Sequence, residues 1–136
     1  MDGHYELVEG PPRVEEYLRL RADSGLSPKR ADQAAAAIAG TWYGVHVRHR
    51  PSGEAVAMGR VIGDGGWYFQ IADMATLPDH QRQGLGRLVL TTLLAAIRDR
   101  APADPYITLL ADPPGVPLYS SLGFQPTKSL GMAFEP

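Results

Sequence analysis

The stretch from Trp67 to Arg100 restricts the fold more than any other. Trp67 to Leu77 is the longest strand-like run in the chain, and Pro78 stops it. From Gly84 to Arg100, apolar or methyl-bearing residues at 85, 88, 89, 92, 93, 96 and 97 form a helical stripe. A strand that feeds an amphipathic helix through a short polar turn must lay that stripe back on a sheet, so the spacing predicts a layered α/β domain. The turn itself, Pro78 to Gly86, ends in Gly84-Leu85-Gly86. The first turn of a helix has unpaired N–H groups and a partial positive charge. Glycines there remove side chains that would hold an anion away, so a phosphate can settle on the amides, with Arg82 and Arg87 adding charge at the rim. The dinucleotide fingerprint lacks its third glycine, because Val89 stands there, and no Gly-Lys-Ser/Thr follows. Taken alone, two glycines before a helix read equally well as turn chemistry.

The remaining elements read outward from this unit. Tyr5 to Val8 is a short strand, broken by Gly10-Pro11-Pro12. Val14, Tyr17, Leu18 and Leu20 predict a helix over 13–24, and Ser27-Pro28 reads as the start of a second helix that runs to Ala39. Trp42 to Arg48 and Ala55 to Ile62 form a hairpin around Pro51-Ser52-Gly53. Gly63 to Gly66 is a flexible loop, expected beside the functional pocket. Tyr106 to Leu110 is a buried strand, Pro117 to Leu122 a short helix closed by Gly123, and Met132 to Phe134 a last strand. The order is βααβββαβαβ.

With 136 residues, the chain is expected to form one domain over 1–136. It has no cysteine, which removes disulfides, thiolate metal sites and cysteine nucleophiles. Its net charge of −2 gives no general attraction to nucleic acid or anionic membrane, so anion binding must be local. The start, MDGHYELVEG, lacks the pattern of a signal peptide. The most apolar stretch, Leu88 to Ile97, is too short to span a bilayer. A soluble, cytoplasmic domain is the expectation, with no nucleic-acid, membrane or metal partner, and homodimerisation left open.

Two motifs in order carry a resemblance. Gln81-x-x-Gly84-x-Gly86 after a strand ending in Leu77-Pro78 resembles the acetyl-CoA motif of the GCN5-related N-acetyltransferase (GNAT) superfamily. Leu118-Tyr119-Ser120-Ser121-Leu122-Gly123-Phe124 resembles that family's Tyr-x-x-x-Gly-Phe signature. Together they cover about residues 70 to 124, whereas residues 1–66 match in element order alone. The resemblance implies a mixed, mostly antiparallel central sheet with a splayed parallel strand pair and flanking helices. It implies acetyl-CoA as cosubstrate, its pantetheine arm against Met74, Ala75 and Thr76 and its pyrophosphate on Arg82, Gln83, Gly84, Leu85, Gly86 and Arg87. Many members have an Asn seven residues before the Tyr. Asp112 stands there, followed by Pro113-Pro114-Gly115, and an Asp has no amide to donate to the cofactor.

Acetyl transfer needs a neutral amine and a stabilised leaving thiolate. A lysine-like amine has a pKa near ~10.4, so roughly one molecule in a few thousand is neutral at pH 7. A general base is therefore expected. By the resemblance Tyr119 is the acid candidate for the thiolate, though its ring can equally be core of the last helix. Asp73 is the base candidate, just before the cofactor segment, with a paired strand-end carboxylate as its alternative reading. Asp112 follows, then His46 and His80. His46 and His49 are three apart on a strand, face opposite sides and share no metal site. The aromatics at 42–43 and 67–69 read mostly as core, with one or two facing the acceptor. The implied activity is direct transfer of acetyl to a small-molecule or protein amine in a ternary complex. Two readings compete: a non-catalytic acyl-CoA-binding or regulatory module of the same fold, and another nucleotide-dependent enzyme that uses the glycine turn.

Overall fold

A computed structural model describes residues 3–135. Its strands are β1 (Tyr5–Glu9), β2 (Tyr43–His49), β3 (Glu54–Gly63), β4 (Tyr68–Thr76) and β5 (Tyr106–Leu109). Its helices are α1 (Val14–Asp23), α2 (Ala31–Ala39), α3 (Leu85–Arg100) and α4 (Val116–Ser121). The sheet order is β1-β2-β3-β4-β5, antiparallel from β1 to β4 and parallel between β4 and β5. This is the expected mixed sheet with flanking helices.

The centre of the sheet is built from fully buried β-branched and small residues, Val45, Val47, Ala55, Val56, Ala57 and Val61, with Phe69 from β4. On one face α3 contributes Leu85, Val89, Leu90, Leu93 and Ile97. Its buried arc includes Leu90 and Leu94, wider than the predicted stripe, because the helix lies across β2, β3 and β4 together. Burying each such Leu, Ile or Val stabilises by about 1.5–3 kcal/mol. Helix α1 packs against β3, β4 and α2.

Three expectations are corrected. Helix α2 begins at Ala31, not at Ser27-Pro28, because the Gln33 side chain accepts the Arg30 N–H at 3.0 Å and fixes the start there. Met132 to Phe134 is not a strand: the segment pairs with nothing, and Leu130, Met132 and Phe134 are 84–88% exposed. Strand β5 also ends one residue early, as Leu110 turns out to solvent.

Two irregularities in β4 position the site. Between the pairs Met58↔Ala75 and Arg60↔Ala72, two steps on β3 face three on β4, a bulge at Asp73–Met74. Asp73 adopts the left-handed conformation there (φ 58°). A bulge bends its strand and re-aims the residues that follow. Pairing of β4 with β5 runs from Tyr68↔Tyr106 to Ile71↔Leu109 and then stops, although β4 continues to Thr76.

Candidate functional site

Past Ile71 the two parallel strands part, and residues 72–76 of β4 have no partner on the β5 side. Two cavities occupy the gap. One of about 530 Å³ is bounded by Asp73, Met74, Leu109, Asp112 and Tyr119, with the α1–α2 loop (Ser24, Gly25) as its far wall. The other, about 570 Å³, runs along Met74, Ala75 and Thr76 to the turn at 81–87 and back to Tyr119. Tyr119 and Met74 border both. The expected pantetheine residues and, of the expected pyrophosphate residues, all but Gln83 therefore line one continuous wall that reaches the candidate acid, and Gln83 lines neither cavity.

The turn is shaped for an anion. Arg82 (φ 63°) and Gly84 (φ 81°) are both left-handed, and successive amides in such a loop form a concave donor surface. Gln81 braces the turn by donating from Nε2 to the Thr76 carbonyl at 3.1 Å. A Cβ at Gly84 would meet nothing within 4 Å, so the space above this amide is open. Arg82 is exposed and has no ion pair among the described residues, whereas Arg87 donates to Ser121 Oγ at 2.8 Å and ties α3 to α4. Gly86 faces α4: its Cβ would lie 3.4 Å from Leu118 Cδ2. These features fit a pyrophosphate on the amides of 82–87 with an exposed cation beside it.

Tyr119 rises from the second turn of α4, its ring edge-on to Phe124 at 6.2 Å. Burial, and then the negative charge of Asp112, push its phenol above the usual tyrosine value. It stays protonated at neutral pH, as a proton donor must. The Pro113–Gly115 3-10 turn brings Gly115 against the ring, where a Cβ would lie 2.7 Å from Cε2 and 3.2 Å from the hydroxyl.

Asp73 is held by three donors. Tyr17 of α1 donates to Oδ2 at 2.6 Å, Arg60 Nε of β3 to the same oxygen at 2.5 Å, and Arg21 of α1 to Oδ1. Its side chain is 7% exposed. Burial alone would raise the carboxyl, but the hydrogen bonds from Arg60 and Tyr17 and the two guanidinium charges outweigh it and hold it below the usual range. A carboxylate bonded on both oxygens and held ionised is a weak proton acceptor. Tyr17, Arg21 and Arg60 escaped sequence reasoning, since they lie 56, 52 and 13 positions from Asp73 and follow no local pattern. Gly115 was legible only as part of a Pro-rich insert.

Of the other candidates, all but His80 lie away from the gap. Loop 63–66 sits at the opposite end of β4 and lines neither cavity; Asp64 Oδ1 organises it by accepting the N–H groups of Gly66, Trp67 and Tyr68. Phe69 is core against Trp42, but Trp67 and Tyr68 are exposed and meet Tyr106, not the cavities. His46 is buried with Nδ1 at 2.7 Å from the Gly10 carbonyl, and burial lowers its pKa. His49 bonds Ser52, whereas His80, bonded to the Tyr5 hydroxyl, borders the cavity of about 570 Å³ beside the turn. Among the described residues no His, Asp and Glu converge into a metal-binding group, and no helix is long and apolar enough to cross a membrane.

Comparison with known proteins gives this geometry a family. Residues 40–126 match the acetyltransferase (GNAT) domain. A probable acetyltransferase of unknown function from meticillin-resistant Staphylococcus aureus superposes with a TM-score of 0.89 at 34% identity, over 97% of this chain and 99% of that one. A GNAT-family acetyltransferase from Streptococcus pneumoniae shares the fold, with a TM-score of 0.81 at 20% identity over 97% and 98% of the two chains. Serotonin N-acetyltransferase 2, chloroplastic, of Oryza sativa subsp. japonica is 38% identical over 85 residues, which are 61% of this chain; the match spans 42% of the rice protein's length. With the parted β4–β5 pair, the glycine turn and Tyr119 in one cleft, the chain belongs to the GNAT acetyltransferase family and is an acyltransferase.

Proposed function

We propose that the chain, as one domain over residues 1–136, transfers the acetyl group of acetyl-CoA directly to an amine within a ternary complex. The observation that carries this reading is the cleft where β4 leaves β5, since bare strand backbone, a phosphate-shaped turn and a protonated phenol share it. Amides of 82–87 and Arg82 hold the pyrophosphate, and the unpaired backbone of Met74, Ala75 and Thr76 receives the pantetheine arm as a further strand would be received. Acetyl-CoA supplies the activated acyl group. A β4 N–H stabilises charge that develops on the carbonyl oxygen, and Tyr119 donates its proton to the leaving sulfur.

Asp73 acts as an anchor. It ties α1 and β3 to the bulge and keeps the strand parted, while the amine's proton leaves through water to Asp112. That carboxylate borders the same cavity, is exposed and has no ion pair among the described residues. The amide missing at Asp112 is offset by the chain's own backbone donors. A small amine is the favoured acceptor: the rice relative is a serotonin N-acetyltransferase, and the cavity beside Tyr119 is about 530 Å³. The acidic net charge accords with a cytoplasmic enzyme that uses no nucleic-acid or membrane partner.

The test is release of free CoA from acetyl-CoA across a panel of aryl-alkyl amines, polyamines and peptide N-termini, with Tyr119→Phe beside the parent. Release with one amine class is expected, and kcat in Tyr119→Phe should fall roughly tenfold to a hundredfold with acetyl-CoA affinity nearly unchanged. Tight acetyl-CoA binding with no release on any amine would identify a non-catalytic binding module instead.

A further inference from the structure

Behind Asp73 lies a third cavity, of about 270 Å³, that the transfer step does not use. It sits between α1, α2, β3 and β4, and Tyr17, Arg21, Lys29, Gln33, Arg60 and Asp73 border it. Three cations and one carboxylate leave it with an excess of two positive charges, in a chain whose net charge is −2. The carboxylate is already spent, because Tyr17 and Arg60 donate to one of its oxygens and Arg21 to the other.

The side-chain groups with capacity left are donors. Lys29 is exposed and makes no hydrogen bond or ion pair among the described residues. Arg60 uses Nε on Asp73 and Nη1 on the Ala37 carbonyl at 3.3 Å, which leaves Nη2. Gln33 accepts the Arg30 N–H on Oε1 at 3.0 Å, which leaves its amide N–H groups. Arg21 fixes where these groups stand. Besides Asp73, its guanidinium reaches the Ser27 carbonyl and Ser27 Oγ, both at 3.1 Å, and so clamps the α1–α2 segment that carries Lys29. Surplus positive charge with unspent N–H donors suits a carboxylate or a phosphate and repels a polyamine.

This cavity adjoins the one beside Tyr119. Asp73 borders both, and the α1–α2 segment walls the larger one with Ser24, Gly25 and Leu26 before it reaches Lys29. A molecule that follows this segment has its amine on the Tyr119 side and its far end at Lys29. We propose that the acceptor is a small amine with an anionic group, a carboxylate or a phosphate, at its far end, and that Lys29, Arg60 and Gln33 select it by that group. The proposal rests on the acetyl-transfer reading, whose acceptor class it narrows.

The test pairs amines that differ at the far end: β-alanine against propylamine, γ-aminobutyrate against butylamine, and phosphoethanolamine against ethanolamine. Release of free CoA from acetyl-CoA gives kcat and KM for each. In the parent, kcat/KM for the anionic member of at least one pair should exceed that of its neutral partner by about tenfold or more, and added salt should shrink the ratio. Lys29→Glu should raise KM for the anionic amine about tenfold, with kcat moved far less, and Lys29→Arg should keep the preference. Neutral amines used as well as their anionic partners in every pair would overturn the proposal, and so would a loss in Lys29→Glu shared equally by both classes. If no amine releases CoA, the transfer reading falls, and calorimetric titration of the same amines into CoA-loaded protein decides the subsite. Anionic amines that bind the parent and not Lys29→Glu uphold it; no binding by any of them overturns it.

Discussion

Gly115→Ala is the perturbation that most directly tests how Tyr119 is positioned. The added Cβ would stand 2.7 Å from Tyr119 Cε2, and ordinary contact begins at 3.4 Å, so the ring must retreat by at least 3.4 − 2.7 = 0.7 Å. Gly115 has φ −85°, so alanine adds no backbone strain. The ring has room to move, because its outer end borders both cavities. Folding stability should therefore change by less than about 1 kcal/mol, while the hydroxyl leaves its station. A displacement near 1 Å costs up to about a hundredfold in rate, so kcat should fall roughly fivefold to a hundredfold with little change in acetyl-CoA affinity. Steady-state kinetics, a thermal melt and acetyl-CoA titration give the three numbers. In a Tyr119→Phe background the same change should add nothing to the kcat loss, since the hydroxyl it displaces is gone. Full activity in Gly115→Ala, or an undiminished effect in the double variant, would refute the coupling.

Three further outcomes follow from the site. Gly84→Val forces a β-branched residue into φ 81° at the open amide, so acetyl-CoA affinity measured by calorimetry should fall tenfold or more, about 1.4 kcal/mol, in a folded protein. Asp73→Asn leaves Arg21 and Arg60 without their shared counter-charge; denaturant melts should record a loss of about 3–5 kcal/mol, and the pH–rate profile of the folded fraction should keep the parent's shape, whereas recovery at high pH would restore Asp73 as the base. Glu16 is buried, which opposes its ionisation, but Arg48 and Arg13 outweigh burial and lower its carboxyl from 4.5 to about 2. A depressed folded value means that its contribution is complete above pH 4.5 and is lost as pH falls toward 2, so urea midpoints should drop across that window in the parent and less so in Glu16→Gln.

The parts of the fold legible in sequence were those written in local spacing. The helical stripe from Leu85 to Ile97, the strand stopped by Pro78 and the glycine turn all appeared where periodicity and turn residues put them. What escaped depended on distance. The donors around Asp73 come from α1 and β3, and no spacing announces that Tyr17, Arg21 and Arg60 converge. The bulge at Asp73 needs φ 58° in a non-glycine residue, which propensity does not foresee. Met132 to Phe134 has a strand's alternation but no strand beside it within the chain, so local pattern and tertiary pairing disagree.

The two glycines of the turn look like a single motif, yet their neighbours divide them. Gly84 is favoured by its left-handed backbone, with open space above it; Gly86 has room for a methyl, whose Cβ would meet Leu118 Cδ2 at the ordinary contact distance of 3.4 Å across the α3–α4 contact. The first glycine answers to a ligand and the second to another side chain. Among relatives, position 84 should therefore tolerate little besides glycine whatever surrounds it. Position 86 should admit alanine as it stands, and a larger residue only where position 118 becomes smaller, so that beyond alanine the two sites vary together as a matched pair. Repair of a Gly86→Val defect by Leu118→Ala, with Gly86→Ala near neutral, would reveal that pairing in the laboratory.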